Sequence, residues 1–368
     1  MTTTHSTSQL RSSLQWIDDL TGELTTEFSN IVIVSPEEAA LNQAQQSLRS
    51  AISELFPCSL CIIPAGENGK ELSSLSLIWE HLESQRSNRR TLVIGLGGGT
   101  TLDVAGFAAA TYFRGIAFWS VPTTLLAMVD AGIGGKTGIN FMGYKNHIGS
   151  FTHPSIVWLC PDFLRTLPQT ELLNGWAECL KHGLLQGPQL WQTLCSPIPP
   201  VNEETRTQFW LPWIESQAQY KLSIVSQDFR ESGLREILNA GHTAAHALES
   251  YSHSIHQPIS HGTAVAWGLL LETLVAHGIT PEKHADVTKI DWISQLWQVV
   301  TNQYGPFPLQ GNPEEILAFA LADKKNKTQS THSVTASIIQ EPGRCQIQQS
   351  IPLNLLVHWL QFFMNPQE

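Results

Sequence analysis

The sequence predicts an α/β, Rossmann-like N-terminal domain over residues 1–165 followed by an all-α C-terminal domain over residues 166–368. Three observations carry this reading. Strand-like apolar runs alternate with helical patterns through the first half, the arrangement of a parallel sheet with crossover helices. After FLRTLP (163–168) the apolar residues recur at helical spacing instead, separated by turn clusters. Between these halves, GLGGGTTLDVAGF (95–107) joins an apolar run to an Ala-rich stretch through consecutive glycines, which reads as strand, turn, helix.

In chain order, the polar N-terminus MTTTHSTSQ lacks the basic and apolar regions of a signal peptide and is expected to be a frayed tail, with the cytoplasm following as the compartment. The strands are NIVIVS (30–35), CSLCIIPA (58–65), TLVIGL (91–96) and IAFWSVP (116–122). The helical half is carried by ELLNGWAECLKHGLL, TQFWLPWIESQAQYKLSIVSQ and GTAVAWGLLLETLVAHG, and GPFPLQGNP (305–313) is a loop. No stretch is apolar for the ~18 residues of a membrane span.

The 368 residues are 42% apolar and 14% charged, an ordinary composition for a chain expected to form two domains. The net charge of −11 argues against nucleic acid as a partner, since phosphate backbones call for a basic face. Any phosphate on a small substrate must be met by local cations. Of six cysteines only Cys58 and Cys61 form a C-x-x-C, and a single such pair within a strand reads as core.

The glycine turn suits a pyrophosphate. Glycines admit close backbone approach, and a helix N-terminus offers free N–H groups and a positive dipole end. Gly95 and Gly97 match the start of a G-x-G-x-x-G fingerprint, but Thr100 holds its sixth position, so this is not an ordinary dinucleotide turn. Asp103 in the first turn of the helix has a bland role available in stabilising the dipole end.

Polar residues gather in three further segments. VPTTLLAMVDAGIGGKTGINFMGYKN (121–146) carries Thr123, Thr124, Asp130, a second glycine turn ending in Lys136, then Lys145 and Asn146, a combination suited to phosphate. In ELLNGWAECLKHG, Glu178 and Lys181 are spaced i, i+3, a pair that taken alone reads as a surface salt bridge. In KLSIVSQDFRESGLREILNAGHTAAHALES, the residues Arg235, Asn239, His242 and His246 recur every three or four positions, predicting one polar stripe on one helix. Such a stripe is costly to bury without a partner. His242 and His246 can share a metal or divide ligation from proton transfer, and Glu178, His242 and His261 would make an open two-His-one-carboxylate site, with His253 and His256 as competing ligands.

PAGENGKE, GGGTTLDVAGFAAATYFRG, VPTTLLAMVDAGIGGKTGIN, YKNHIGSF, NGWAECLKHGLL, ESGLREILNAGHTAAHALE, SHGTAVAWG and DKKNK stand in this order, and over residues 60–330 the chain resembles the 3-dehydroquinate synthases of the sugar-phosphate cyclase family. The resemblance implies NAD in the α/β domain, a divalent metal in the helical domain (usually zinc, with cobalt as the alternative), and a homodimer. By motif position it places Glu67, Lys70, Gly97, Gly98, Gly99, Asp103, Thr123, Thr124, Asp130, Lys136 and Lys145 on NAD, with Asp103 near the nicotinamide. It places Glu178, His242 and His261 on the metal. Arg114, Asp130, Lys136, Lys145, Asn146, Lys181, Lys221, Arg235, Asn239 and Lys325 fall on the substrate, and Lys136, Asn146, Lys181, Asn239 and His246 on catalytic positions.

The implied activity is conversion of 3-deoxy-D-arabino-heptulosonate 7-phosphate to 3-dehydroquinate and phosphate, a lyase step of the shikimate pathway to aromatic amino acids. Met128, Ala131, Gly132 and Thr263 depart from the residues common in this family, Ala131 and Gly132 in the direction of sibling cyclases that make aminoglycoside or valiolone-type rings. His246 argues against the valiolone-type relatives. The rival class is an iron-type NAD-dependent alcohol or glycerol dehydrogenase, which would need metal and NAD but not the cations Lys136, Lys145, Lys181, Lys221, Arg235 and Lys325 in a chain with 21 Lys plus Arg against 32 Asp plus Glu.

Overall fold

The structure is a computed structural model that describes residues 8–142, 144–322 and 332–365. Lys325 and the rest of the DKKNK segment lie outside the described residues. Two compact units form: one takes the described residues up to Leu172 together with Pro199–Arg230, the other Leu173–Ile198 and the described residues from Glu231 onward. Residues 199–230, which follow the sequence boundary at 165, therefore pack with the first unit.

The first unit is built on a six-stranded sheet. Its strands are β1 (Gln9–Ser12), β2 (Asn30–Pro36), β3 (Cys58–Ile63), β4 (Thr91–Gly97), β5 (Ala117–Pro122) and β8 (Ile156–Leu159), in the order β1-β8-β5-β4-β2-β3 with every pairing parallel. Helices α1 (Trp16–Gly22), α2 (Asn42–Ser53), α3 (Leu72–Ser84) and α4 (Gly99–Thr111) cover it. Side chains alternate along each strand, so Ile31, Ile33, Leu92 and Ile94 enter one core with α1 and α2, while Val32, Val34 and Val93 enter the other with α3 and α4. Burial on both faces explains why these strands read as unbroken apolar runs.

The connection after β2 leads to β3 on one side, and the connection after β4 leads to β5 on the other. The carboxyl ends of β2 and β4 thus form the topological switch point, where ligands bind in open α/β sheets. The glycine turn lies there. An antiparallel hairpin of β6 (Lys136–Phe141) and β7 (Tyr144–Phe151) follows, with β7 exposed along most of its length.

Helix α5 (Gln169–Gln186) runs across the boundary between the units, and α6 (Pro188–Leu194) follows in the second. Helices α7 (Glu203–Thr205) and α8 (Leu211–Gln227) belong to the first unit. The second unit continues with α9 (His242–Ser254), α10 (His261–Ala276), α11 (Asp291–Tyr304), α12 (Pro313–Ala322) and α13 (Leu353–Met364), and adds one antiparallel hairpin, β9 (Ser333–Glu341) and β10 (Arg344–Pro352). Helix α10 is buried almost all round, as its apolar sequence requires, and packs on α9, α11, α13 and β9. Among the described residues no single helix is long and apolar enough to cross a membrane.

Arg235, Asn239, His242 and His246 do not share one helix. A 3-10 segment ends at Asn239, Gly241 takes a left-handed conformation (φ 78°), and α9 starts afresh at His242. Periodicity registers the spacing of these residues but not a backbone break that keeps it.

Candidate functional site

In the first unit β4 delivers its glycines to the start of α4. Gly98 precedes the helix with extended backbone, and the N–H groups of the helix's first residues have no partners within the helix. A Cβ on Gly99 would lie 2.9 Å from the Cβ of Ala131, so the turn fits only because both residues are small. The N–H of Thr123 donates to the carbonyl of Gly97 (3.0 Å), tying the end of β5 to the turn. Thr124 accepts from the N–H of Ala127 (3.2 Å), a capping role the sequence reading did not assign.

Lys70 Nζ meets Asp103 Oδ2 at 2.6 Å, with both side chains largely buried. Burial pushes the Asp103 carboxyl above the usual range, while the ammonium groups of Lys70 and Lys221 pull it back. Lys221 also grips Asp130, 2.8 Å from its Oδ1 and 2.6 Å from its backbone carbonyl. Two of the expected substrate residues therefore hold each other. Glu67 accepts from the Asn140 amide (2.6 Å), and Asn140 Oδ1 accepts from the backbone N–H of Asn146, a non-glycine residue in the left-handed region (φ 54°). Asn140 was not among the expected site residues, although it closes the GKTGIN segment that was.

The structure does not bring every predicted cation together. Lys136 opens β6 opposite Phe151, and Lys145 lies beside the far end of the hairpin, about 13 Å away at strand spacing. Arg114 is exposed in a left-handed conformation (φ 64°) beyond the C-terminal end of α4, about 20 Å along the helix from Gly99.

In the second unit, Glu178 from α5 and the first residues of α9 and α10, His242 and His261, converge. One ligand atom from each lies within 4.8 Å of the others. Glu178 Oε1 is 3.1 Å from His261 Nε2 and 3.4 Å from His242 Nε2. The outer ring nitrogens are anchored: His242 Nδ1 donates to the carbonyl of Ala240 (3.1 Å), and His261 Nδ1 faces Glu249 Oε2 (3.2 Å). A carbonyl can only accept, so Nδ1 of His242 carries a proton, which leaves Nε2 as the ring atom that faces Glu178. His253 and His256 do not join this cluster.

Glu178 is 0% exposed and pairs with Lys181, itself 1% exposed. The i, i+3 pair is therefore buried rather than on the surface. Burial alone would raise the Glu178 carboxyl, but the charges of Lys181 and His242 and hydrogen bonds from both histidines hold it well below the usual range. Burial alone would lower His261, but Glu178 and Glu249 on its two sides raise it to about 10. Two imidazoles and one carboxylate, with the outer N–H of each ring bound to a carbonyl or carboxylate, are the donor set and outer shell of an open zinc-type site. The residues fit a divalent cation.

His246 is half-buried, its ring 5.6 Å from that of His242 and edge-on to it, and it stands outside the ligand cluster. Arg235 is buried, and the Asn239 amide donates to Glu231 (2.7 Å). Glu249, which the sequence reading left unassigned, lies seven residues after His242. That two-turn spacing puts it on the same side of α9 and was the available signal.

A glycine turn at the switch point of a parallel sheet, and a two-histidine, one-carboxylate cluster in a largely helical second unit, define the class of fold and site. Two solved structures share the fold: 2-deoxy-scyllo-inosose synthase complexed with carbaglucose-6-phosphate, NAD+ and Co2+ (TM-score 0.78, 23% identity, 95% of each chain), and 2-epi-5-epi-valiolone synthase from Streptomyces hygroscopicus with NAD+ and Zn2+ (TM-score 0.77, 22% identity, 98% of this chain and 97% of the other). Within that class, residues 60–174 match the family model of the 3-dehydroquinate synthase N-terminal domain and residues 175–326 that of its C-terminal domain. The 3-dehydroquinate synthase of Pyrococcus furiosus is 40% identical over 299 residues, covering 74% of this chain and 86% of the relative. The chain belongs to the 3-dehydroquinate synthase family.

Proposed function

We propose that the chain converts 3-deoxy-D-arabino-heptulosonate 7-phosphate to 3-dehydroquinate and phosphate as a phosphate-eliminating lyase of the shikimate pathway, using NAD and a divalent metal, Zn2+ or Co2+. Beside family membership, the observation that carries the reading is the convergence of Glu178, His242 and His261 with both outer ring nitrogens anchored. We assign NAD to the first unit and the metal to the second, and take the protein to be a cytoplasmic homodimer. Sedimentation as a monomer would remove that last assignment.

When bound, NAD supplies a hydride acceptor and donor, and the metal supplies a Lewis acid for the neighbouring substrate hydroxyls. The backbone N–H groups at the start of α4 would hold the pyrophosphate of NAD. Lys70 draws the buried Asp103 carboxyl back towards its charged form and fixes it where it would meet the nicotinamide. Asn140 holds Glu67 and the left-handed Asn146 in register. The resemblance gives Lys136, Asn146, Arg114 and Lys325 the charge of the leaving phosphate, although Arg114 stands beyond the far end of α4 in this chain. His246 takes the proton from the hydroxyl being oxidised and returns it, with Lys181 and Asn239 orienting that oxygen, while Lys221, Asp130 and Arg235 complete the substrate contacts.

Purified full-length protein, supplied with the heptulosonate phosphate, zinc and a trace of NAD, should form 3-dehydroquinate and phosphate in equal amounts. A different carbocycle from another sugar phosphate would indicate a sibling cyclase.

A further inference from the structure

His242 and His261 each stand first in their helices, α9 and α10. At that place no preceding turn fixes the peptide that leads into the residue. Helix α10 solves this locally, because Ser260 caps it by accepting from the N–H of Thr263. Helix α9 has no such cap: Gly241 precedes it, left-handed and without a side chain.

The missing cap comes from α10. Glu272, 2% exposed, sends Oε2 to the N–H of Gly241 and Oε1 to the N–H of Ala244, both at 2.8 Å. The two backbones touch at the same place, since a Cβ on Gly268 of α10 would lie 2.1 Å from the Gly241 carbonyl oxygen. The N–H that Glu272 receives from Gly241 belongs to the peptide whose carbonyl is that of Ala240. That carbonyl accepts from His242 Nδ1. One rigid peptide plane thus carries a carboxylate on its N–H and an imidazole on its oxygen, and the charge on one side polarises the acceptor on the other.

We infer that Glu272 is a positioning residue for the metal centre: by fixing the Ala240–Gly241 peptide it sets the tautomer and direction of His242. The inference rests on the reading of Glu178, His242 and His261 as metal ligands. Glu272 touches none of the three side chains. Its effect passes through the backbone of α9, and it ties the helix of one histidine to the helix of the other.

The test is equilibrium zinc binding by the full chain, native against Glu272→Gln, with the visible absorption of the Co2+-loaded proteins as a second readout. The amide keeps the size of the side chain but presents N–H groups to backbone N–H groups. We expect zinc affinity to fall about 10- to 100-fold and the Co2+ bands to shift, as when the outer partner of a ligand is lost. NAD affinity, assigned to the other unit, should stay unchanged. Equal zinc affinities with equal Co2+ spectra, whatever the change in melting temperature, would leave Glu272 a structural cap and overturn the inference alone. Absence of zinc binding by the native chain would overturn the metal reading and the inference together. If circular dichroism shows Glu272→Gln unfolded, Glu272→Asp, which keeps the charge but shortens the reach, is compared in the same two measurements with the same outcomes.

Discussion

Glu249 Oε2 stands 3.2 Å from His261 Nδ1, while Glu178 Oε1 stands 3.1 Å from Nε2 of the same ring. One imidazole thus spans two carboxylates, the inner one a ligand candidate and the outer one its support. Glu249→Gln keeps the size of the outer group but removes its charge, so His261 becomes less basic and its ring less firmly set. Zinc affinity should fall about 10- to 100-fold. Competition with a chromophoric chelator measures this directly, and an unchanged affinity would leave Glu249 without the supporting role.

His242 and His246 differ by one turn and should separate cleanly. His242→Ala leaves two protein ligands, too few to hold zinc well, so bound metal and turnover should disappear together. His246→Ala should keep the metal and lose turnover by about 100- to 10,000-fold, the range of a lost proton carrier. Metal analysis of both variants decides the assignment: zinc retained in the first or lost from the second would redraw the ligand set.

Lys70→Met leaves Asp103 desolvated without its ammonium partner. The carboxyl, already raised by burial, then rises further. A carboxyl whose folded pKa lies above its unfolded value costs nothing while protonated in both states, and its penalty grows as pH climbs through the folded pKa. The variant should therefore lose more stability at pH 8 than at pH 4, by about 2 kcal/mol for a mostly buried pair. Urea unfolding at the two pH values gives the difference. A loss independent of pH would mean that the lysine stem matters and its charge does not.

Much of this was legible in the sequence, for identifiable reasons. Strands such as NIVIVS and TLVIGL are buried on both faces and announce themselves as apolar runs, whereas β7 is an exposed strand whose polar sequence carries no such signal. Glu178, His242 and His261 were found by residue type and motif. The burial of Glu178 with Lys181 was not, because i, i+3 spacing is the same on a surface as in a core. The break at Gly241 preserves the three- and four-residue spacing of its neighbours and so hides from periodicity. Glu272 did leave a trace: it is an acid within the apolar run LLLETLV, where a carboxylate must have partners.

Lys136 and Arg114 were assigned to the same phosphate, yet they occupy different places in the first unit. Lys136 opens the hairpin and Arg114 follows the far end of α4. Lys136→Ala should weaken the phosphorylated substrate by roughly 10- to 100-fold, the worth of a charge-assisted contact, and an analogue lacking phosphate far less. Running Arg114→Ala in parallel asks whether a residue so placed serves the phosphate at all. Equal losses with both compounds would assign that cation to the fold or the cofactor.

The order of hydride transfers separates a cyclase from a dehydrogenase of similar fold. If the hydride taken from the substrate returns to the same carbon after phosphate has left, NAD is restored in every cycle and the overall reaction has no redox change. Asp103, paired with Lys70, lies one turn into α4 from the glycine turn, and the proposed reaction requires the nicotinamide to stay bound through a whole cycle. A reduced cofactor released early would abandon a reactive ketone to water. Phosphate release should therefore continue for many turnovers with NAD well below the enzyme's substrate in concentration, and absorbance from NADH should stay flat after the first cycle. Zinc removal with a chelator should stop phosphate release, and added Zn2+ or Co2+ should restore it. NADH accumulating one-for-one with substrate consumed would reject the synthase assignment and leave an alcohol-dehydrogenase type of reaction in its place.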